Sequence, residues 1–349
     1  MVSHNDSDTL WNFMGFVQRT AMGLSLHRDP EPLEGMSPFE KEMRRRLWAT
    51  IVFLDLHVAI GSGMPTLIRP QDYSTRPPAN IDEDQLSVDM VHTPQGAFPE
   101  HTTSTFQTRL AEILPDICAI ISNINSAAPD LKYKDVLEFD AKLRQSLKAS
   151  LACVSSRRNP VIGPKSLDRP HIQSSMLQLF VRGVMLALHC HYFMDPEKHP
   201  DYQTSYWAVL DCSLAILGQQ RQIYDANSSE LPTTWFNDIN QGSYFIAAAH
   251  VTLGIKHGSF LSGPMALIGS SANETAWMLM DSLASISEED VGRSVEYFKR
   301  YSAFYQRYAT LQALVNGGDT EQARNDAFEH IIKVVSEKAA ELYPSPFYG

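Results

Sequence analysis

Apolar residues recur at intervals of three and four along most of this chain, the spacing of an amphipathic helix rather than of a strand. From Asp8 to Leu26 the repeat runs through Leu10, Met14, Val17, Ala21 and Leu24, with Ser7 or Asp8 placed to cap the start. Pro30 and Pro32 forbid continuation beyond His27-Arg28-Asp29. Trp11, Phe13 and Phe16 widen the apolar face, so this helix needs neighbours on several sides. Ser37-Pro38-Phe39-Glu40 predicts a second start. The serine can accept from the first free amides, the proline suits the first helical position and the glutamate can reach back. Met43, Leu47, Ile51 and Val58 then line one face, with Trp48, Val52 and Ala59 beside them, until Gly61, Gly63 and Pro65 end the helix.

An irregular acidic segment follows, carrying Asp72, Pro77, Pro78, Asn80, Asp82, Glu83 and Asp84, and residues 87–101 read as a polar loop. Past residue 102 the pattern is helical again. Helices are expected over Thr103–Asn123, Asp135–Ser155, Leu177–Phe193, Tyr206–Leu217, Tyr244–Ile255, Val291–Leu314 and Ala323–Leu342. Pro115 should kink the first of these or start it anew, and Asn159–Pro170 reads as a loop. No stretch alternates strictly over several residues, and no repeat of fixed period is present, so a sheet is not required. The expectation is an all-α fold, an irregular array of about ten helices in one domain.

Composition narrows the class. Hydrophobic residues make up 44% and charged residues 20%, the balance of a globular chain. The longest apolar run, Leu177 to Met194, is broken by Arg182, His189 and His191, which favours a buried helix over a membrane span. The first residues lack a basic start followed by an apolar block, so no secretory signal is expected and the setting reads as intracellular. Net charge is -11, from 29 basic against 40 acidic residues, which opposes affinity for a phosphate backbone. The four cysteines, Cys118, Cys153, Cys190 and Cys212, form no C-x-x-C and sit in apolar helical contexts, as buried free thiols would.

Candidate chemistry is sparse. Asp55 falls on the apolar stripe of the second helix, and a buried carboxylate needs a partner. The reading is a structural acceptor that pins the Gly61-Ser62-Gly63 turn or binds an arginine. Arg44, Arg45 and Arg46 fan over about 200° of the helix and cannot share one solvent face, so they brace the core or meet a partner. Glu40 with Arg44 and Glu42 with Arg46 stand in i,i+4 order. His189, Cys190, His191, Asp195 and His199 make the most metal-like cluster, but His189 and His191 project to different sides and Pro196 interrupts the run, so ordinary helix-end histidines are expected. No G-x-G-x-x-G, G-x-S-x-G, P-loop, EF-hand or papain-type pattern occurs. The aromatic run Tyr297 to Tyr305 has the spacing of a helix face in a core, with a partly exposed rim.

One resemblance is specific. Ala21 to Pro30 with its His27-Arg28-Asp29, then Glu42-Met43-Arg44-Arg45-Arg46-Leu47-Trp48, then Asp55, Gly61, Gly63-Met64-Pro65, Ile68, Asp72-Tyr73, Pro77-Pro78, Asn80-Ile81-Asp82 and Asp84, resembles the fungal-specific transcription factor domain in the same order. This is the regulatory, or middle homology, region that follows a six-cysteine zinc cluster in fungal regulators. The clear match covers residues 8–86, within a regulatory domain taken as 1–345. The resemblance implies a nuclear regulator of RNA polymerase II transcription, with secondary metabolism among the fitting roles. It implies no enzyme, no membrane and no cofactor in this chain, since the family's zinc sits in a separate module and no paired C-x-x-C occurs here. It also implies protein partners, a second copy or a full-length relative among them, a small-molecule effector in a hydrophobic hollow, and no direct DNA binding by this chain. His27, Arg28, Asp29, Glu42, Arg44, Arg45, Arg46, Trp48, Asp55, Gly61, Gly63 and Pro65 are then structural. The family domain ordinarily begins upstream of the His-Arg-Asp motif, so the first helices are expected to be missing, as in a truncated regulator. The rival readings are a DNA-binding-deficient partner or inhibitor of a full-length relative, and a helical ligand-binding protein or enzyme. Ser74 stands where many relatives have Asp after the Tyr, which touches one loop contact.

Overall fold

A computed structural model of the protein describes residues 5–94, 102–155, 169–225, 234–261 and 271–342. Among these residues the secondary structure is helical, without a strand. The contacts gather into two compact units, Met1–His191 and Tyr192–Gly349.

The first unit holds α1 (Asn5–Gly23), α2 (Pro38–Ser62), α3 (Thr105–Ile124), α4 (Tyr133–Ser155) and α5 (Arg169–His189). Helix α1 packs on α2, α2 on α3, and both α3 and α4 on α5. Phe53 of α2 meets Phe106 of α3 edge-on at 4.9 Å and Phe180 of α5 at 5.2 Å, an aromatic junction that joins three helices. Ile117, Ile120 and Ile121 of α3 and Val181, Val184 and Met185 of α5 are wholly buried around it. Helix α3 runs through Pro115 without a break in its assignment. The proline is exposed, so water can satisfy the carbonyl that it leaves free.

The second unit holds α6 (Gln203–Asp225), α7 (Thr234–Lys256), α8 (Ser271–Asp290), α9 (Val295–Val315) and α10 (Thr320–Leu342). Helices α6 and α7 lie so close that a Cβ on Gly254 would sit 2.8 Å from Leu210 Cδ2. The aromatic run of α9 buries Tyr297, Tyr301, Phe304 and Tyr308 along one face, the core arrangement that its spacing suggests. Tyr305 stays at the rim, with its ring 4.6 Å from His330.

Several boundaries differ from the sequence pattern. Ser7 and Asp8 lie inside α1, not at its cap, and the helix stops at Gly23 before any proline acts. Leu26 N donates to Ala21 O at 3.0 Å and Ser25 N to Met22 O at 2.9 Å, the paired bonds of a Schellman close. Leu10 and Leu24 face solvent, while Met14 and Ala21 are buried. Helix α8 was not legible in the pattern, and the run expected from Val291 begins only at Val295, behind the Ser294 cap. Cys190 is exposed, against the expectation for it, whereas Cys118 and Cys212 are buried. The side chain of Cys153, part of the 87–101 loop and most of the 159–170 loop lie outside the described residues.

The Schellman close places Ser25 at φ 58°, a left-handed conformation that is costly for any residue with a Cβ. Ser25→Gly should therefore raise the unfolding free energy by about 0.5–1 kcal/mol in urea titration. An unchanged or lowered midpoint would show that the turn is not strained.

Candidate functional site

The motif residues converge on the largely irregular chain that follows α2, which makes only two short 3-10 turns, Pro70–Asp72 and Glu83–Gln85, and Asp29 stands at the centre. Its carboxylate receives Arg45 Nε at 3.1 Å and Arg45 Nη2 at 2.9 Å, the two-pronged fork that a guanidinium offers to a carboxylate. The Arg76 amide donates to it at 2.9 Å and Arg76 Nη2 at 3.2 Å, and the Glu31 amide adds a bond at 3.0 Å. Glu31 in turn accepts from Arg45 at 2.8 Å and from Arg76 at 2.7 Å. Three chain segments are thereby tied at one point: the exit of α1, the first turns of α2 and the strand-like stretch at 74–76. Burial pushes the Asp29 carboxyl up, but the Arg45 and Arg76 bonds outweigh it and hold the group well below the usual carboxylate range.

A second carboxylate does the same one turn away. The Glu42 side chain is fully buried and accepts from Arg46 Nε at 3.1 Å and from the Ala79 amide at 3.1 Å. Burial raises its pKa against the pull of Arg46 and Ala79. Arg46 also reaches Ile81 O at 3.2 Å, and Arg44 reaches Leu24 O at 2.6 Å. The three successive arginines thus go to three different stretches of backbone and carboxylate, as their 200° spread dictates. Glu40 closes the capping box with Ser37 and does not pair with Arg44. Trp48 is 2% exposed and lies between the rings of His27 at 6.3 Å and Tyr73 at 5.5 Å. Arg28 is exposed. Ser74 supplies its own loop contacts: its amide donates to His27 O at 2.9 Å and its hydroxyl accepts from the Asp29 amide at 3.2 Å.

Asp55 completes the set from the far end of α2. It accepts from the Leu67 amide at 3.0 Å and the Ile68 amide at 3.0 Å, holding the chain after the glycine turn and not the turn itself. Burial drives its pKa up to about 6 despite those two bonds. Gly63 closes the helix at φ 68°, a conformation open to glycine. Gly61 lies in the last turn, and Pro65 O accepts from Trp11 Nε1 at 3.1 Å. Two residues that the sequence did not single out finish this end. Asn125 Nδ2 donates to Ala59 O at 3.0 Å and Met64 O at 2.8 Å, and Gln18 Nε2 donates to Leu67 O at 2.7 Å.

With these acids engaged, the inner face of α2 differs from the apolar stripe of the sequence. Glu42, Arg45, Trp48, Ile51, Asp55 and Ala59 are buried, whereas Met43 is 42% and Leu47 50% exposed. The stripe turns because the chain packed against the first half of α2 is irregular backbone, which needs polar partners. Beside the clamp a cleft of about 850 Å³ opens, with Lys41, Arg45, Arg76, His92 and Glu112 among its walls. Pro38, Pro77, Pro78, Val91 and Pro94 stand among these charged groups in its lining. No group of three or more His, Cys, Asp or Glu side chains among the described residues is placed to hold a metal. His189 is buried and meets Asp140 Oδ1 at 3.0 Å, a structural pairing of α4 with α5. No helix among the described residues is long and apolar enough to cross a membrane. On α1, Leu10, Phe13 and Phe16 are 56%, 60% and 64% exposed.

Comparison with known proteins points to fungal transcription factors. Residues 2–148 match the fungal specific transcription factor domain. The transcription factor asR3 of Sarocladium schorii is 28% identical over 231 residues, 60% of this chain and 26% of that protein. Transcription factor phm2 of Pyrenochaetopsis sp is 27% identical over 62% of this chain and 29% of its own length. The equisetin cluster transcription factor eqxF of Fusarium heterosporum is 27% identical over 63% and 32% respectively. The match thus spans about a quarter to a third of these relatives. No solved structure matches the chain.

Two outcomes follow from the buried charges. Arg45→Ala removes the fork but leaves Asp29 its bonds from Arg76 and the Glu31 amide, and should cost about 1.5–3 kcal/mol in denaturant unfolding. Arg45→Lys should recover only part of that, because an ammonium cannot form the fork. Asp55 titrates near 3.8 when unfolded and near 6 when folded, so the folded state binds its proton more tightly. Its contribution to stability is greatest below pH 4 and is lost as pH rises from about 4 to 6. Asp29 acts oppositely, and its contribution disappears as pH falls below about 4. The difference between the native protein and Asp55→Asn, measured as unfolding free energy at each pH, should change across 4–6 and be flat above 7. A flat difference throughout would refute the buried-carboxyl account.

Proposed function

We propose, from the fungal specific transcription factor domain that residues 2–148 carry, that this chain is the regulatory part of a nuclear fungal regulator of RNA polymerase II transcription. The family match is the observation that carries the reading. Relatives whose names tie them to biosynthetic clusters, such as the equisetin cluster factor, favour control of a secondary-metabolite gene cluster. The clamp geometry supports a scaffold role for the motif: Asp29, Arg45, Glu42, Arg46 and Asp55 spend their hydrogen bonds on one another and on backbone. None is left to act on a substrate or to grip a phosphate.

DNA recognition falls to a module outside these 349 residues, since a six-cysteine cluster needs more than the four cysteines present. That module belongs either to the same regulator or to a full-length relative that this chain binds as partner or inhibitor. The second arrangement draws on the exposed Leu10, Phe13 and Phe16 of α1, an apolar strip with the composition of a protein contact. Mapping the 5′ end of the transcript separates the two, because an in-frame six-cysteine segment upstream supports the first and an upstream stop codon supports the second.

The net charge of -11 predicts that the isolated chain does not retard DNA at physiological salt. Nanomolar, sequence-specific retardation would contradict it. Deleting the gene should change transcript levels across a set of co-regulated genes. An unchanged transcript profile under conditions where the gene is expressed would overturn the regulator reading.

A further inference from the structure

The core of the second unit contains a polar hollow in an otherwise apolar setting. Gln220 of α6, Asn237, Gln241 and Tyr244 of α7, Ser287 of α8 and Tyr297 of α9 are among its walls. Tyr244 is 3% exposed and Ser287 is fully buried. The Tyr244 hydroxyl and Asn237 Oδ1 are each buried without a hydrogen-bond partner among the described residues, and the buried Ser287 hydroxyl lies beside the Tyr297 phenol. Dry cavities in proteins are apolar, whereas polar ones hold water wherever one molecule fits. Here the space open to the centre of a water-sized sphere is about 10 Å³, close to the minimum for a single molecule and too little for an organic effector.

We infer that this hollow is a binding site for one structural water, which accepts from the Tyr244 hydroxyl, donates to Asn237 Oδ1 and bonds the Ser287 hydroxyl. These groups supply a donor, an acceptor and a hydroxyl able to be either, the complement that a water with about three bonds needs. Burial pushes the Tyr244 phenol up, so it stays a neutral donor across the physiological range. A metal ion is a poor rival. The one carboxylate in the wall, Asp290, is already met by Arg293 Nη2 at 2.8 Å, and Gln241 Oε1 already accepts from Arg300 Nη1 at 3.2 Å. The water would join α7 to α8 where the two helices offer polar groups that do not bond directly.

The sign of one substitution tests this. If the site is wet, Tyr244→Phe in the full chain removes a hydrogen bond and lowers the thermal midpoint by about 2–4 °C. If it is dry, the same change removes an unsatisfied hydroxyl, and the midpoint holds or rises. Oxygen-17 relaxation dispersion counts long-lived internal waters, and the count should fall by one between the native protein and Tyr244→Phe. A held or raised midpoint with an unchanged count overturns the inference. Should the variant not fold, a high-resolution crystal structure of the native protein decides. A density peak within hydrogen-bond distance of Tyr244 Oη and Asn237 Oδ1 supports the site, and an empty hollow refutes it.

Discussion

The Asp29–Arg45 fork is the contact on which the first half of the molecule depends. From the end of α2 to residue 94 the described chain is irregular apart from two short 3-10 turns, and every buried amide in such a stretch needs an acceptor. The protein supplies acceptors from carboxylates. Asp29 takes the amides of Glu31 and Arg76, Glu42 takes that of Ala79, and Asp55 takes those of Leu67 and Ile68. Burying three carboxylates is costly, and the arginines at 45 and 46 offset that cost for Asp29 and Glu42. Asp55 has only the two amides, which is why its pKa rises to about 6 while that of Asp29 falls.

This arrangement explains the order of the motif. Charges on successive turns of α2 meet successive amides of a chain running back past it, so Glu42, Arg45, Arg46 and Asp55 are a register mark for irregular backbone. Hydrophobic burial alone would not fix that register, because it is non-directional. A fork with two parallel bonds is directional. The glycine turn serves the same end: Gly63 closes α2 in the left-handed conformation, and the chain emerges beneath Asp55.

Parts of this were legible in the sequence and parts were not, for physical reasons. The Ser37 cap and the helical spacing of α9 are local, and local chemistry reads directly from adjacent residues. The partners of Asp55 are not local, and a single sequence says only that such a carboxylate needs one. Asn125 and Gln18 were invisible, being ordinary polar residues whose acceptors lie 61 and 49 positions away. The face of α2 was misjudged because periodicity finds apolar stripes, whereas this helix turns Glu42, Arg45 and Asp55 inward and leaves Met43 and Leu47 outside. The close of α1 escaped because its left-handed residue is Ser25, where the usual signal is glycine.

The same geometry limits what the domain can do. Asp29, Glu42 and Asp55 each face backbone amides or a guanidinium, so their hydrogen bonds serve the scaffold. Arg45 and Arg46 are engaged by carboxylates and Arg44 spans to Leu24 O, so all three arginines brace the scaffold. What remains free is surface, where the apolar strip of α1 faces outward beside a tightly registered helix pair. The paired charges of α2 thus hold the exit of α1, α2 itself and the chain from 67 to 81 in one register.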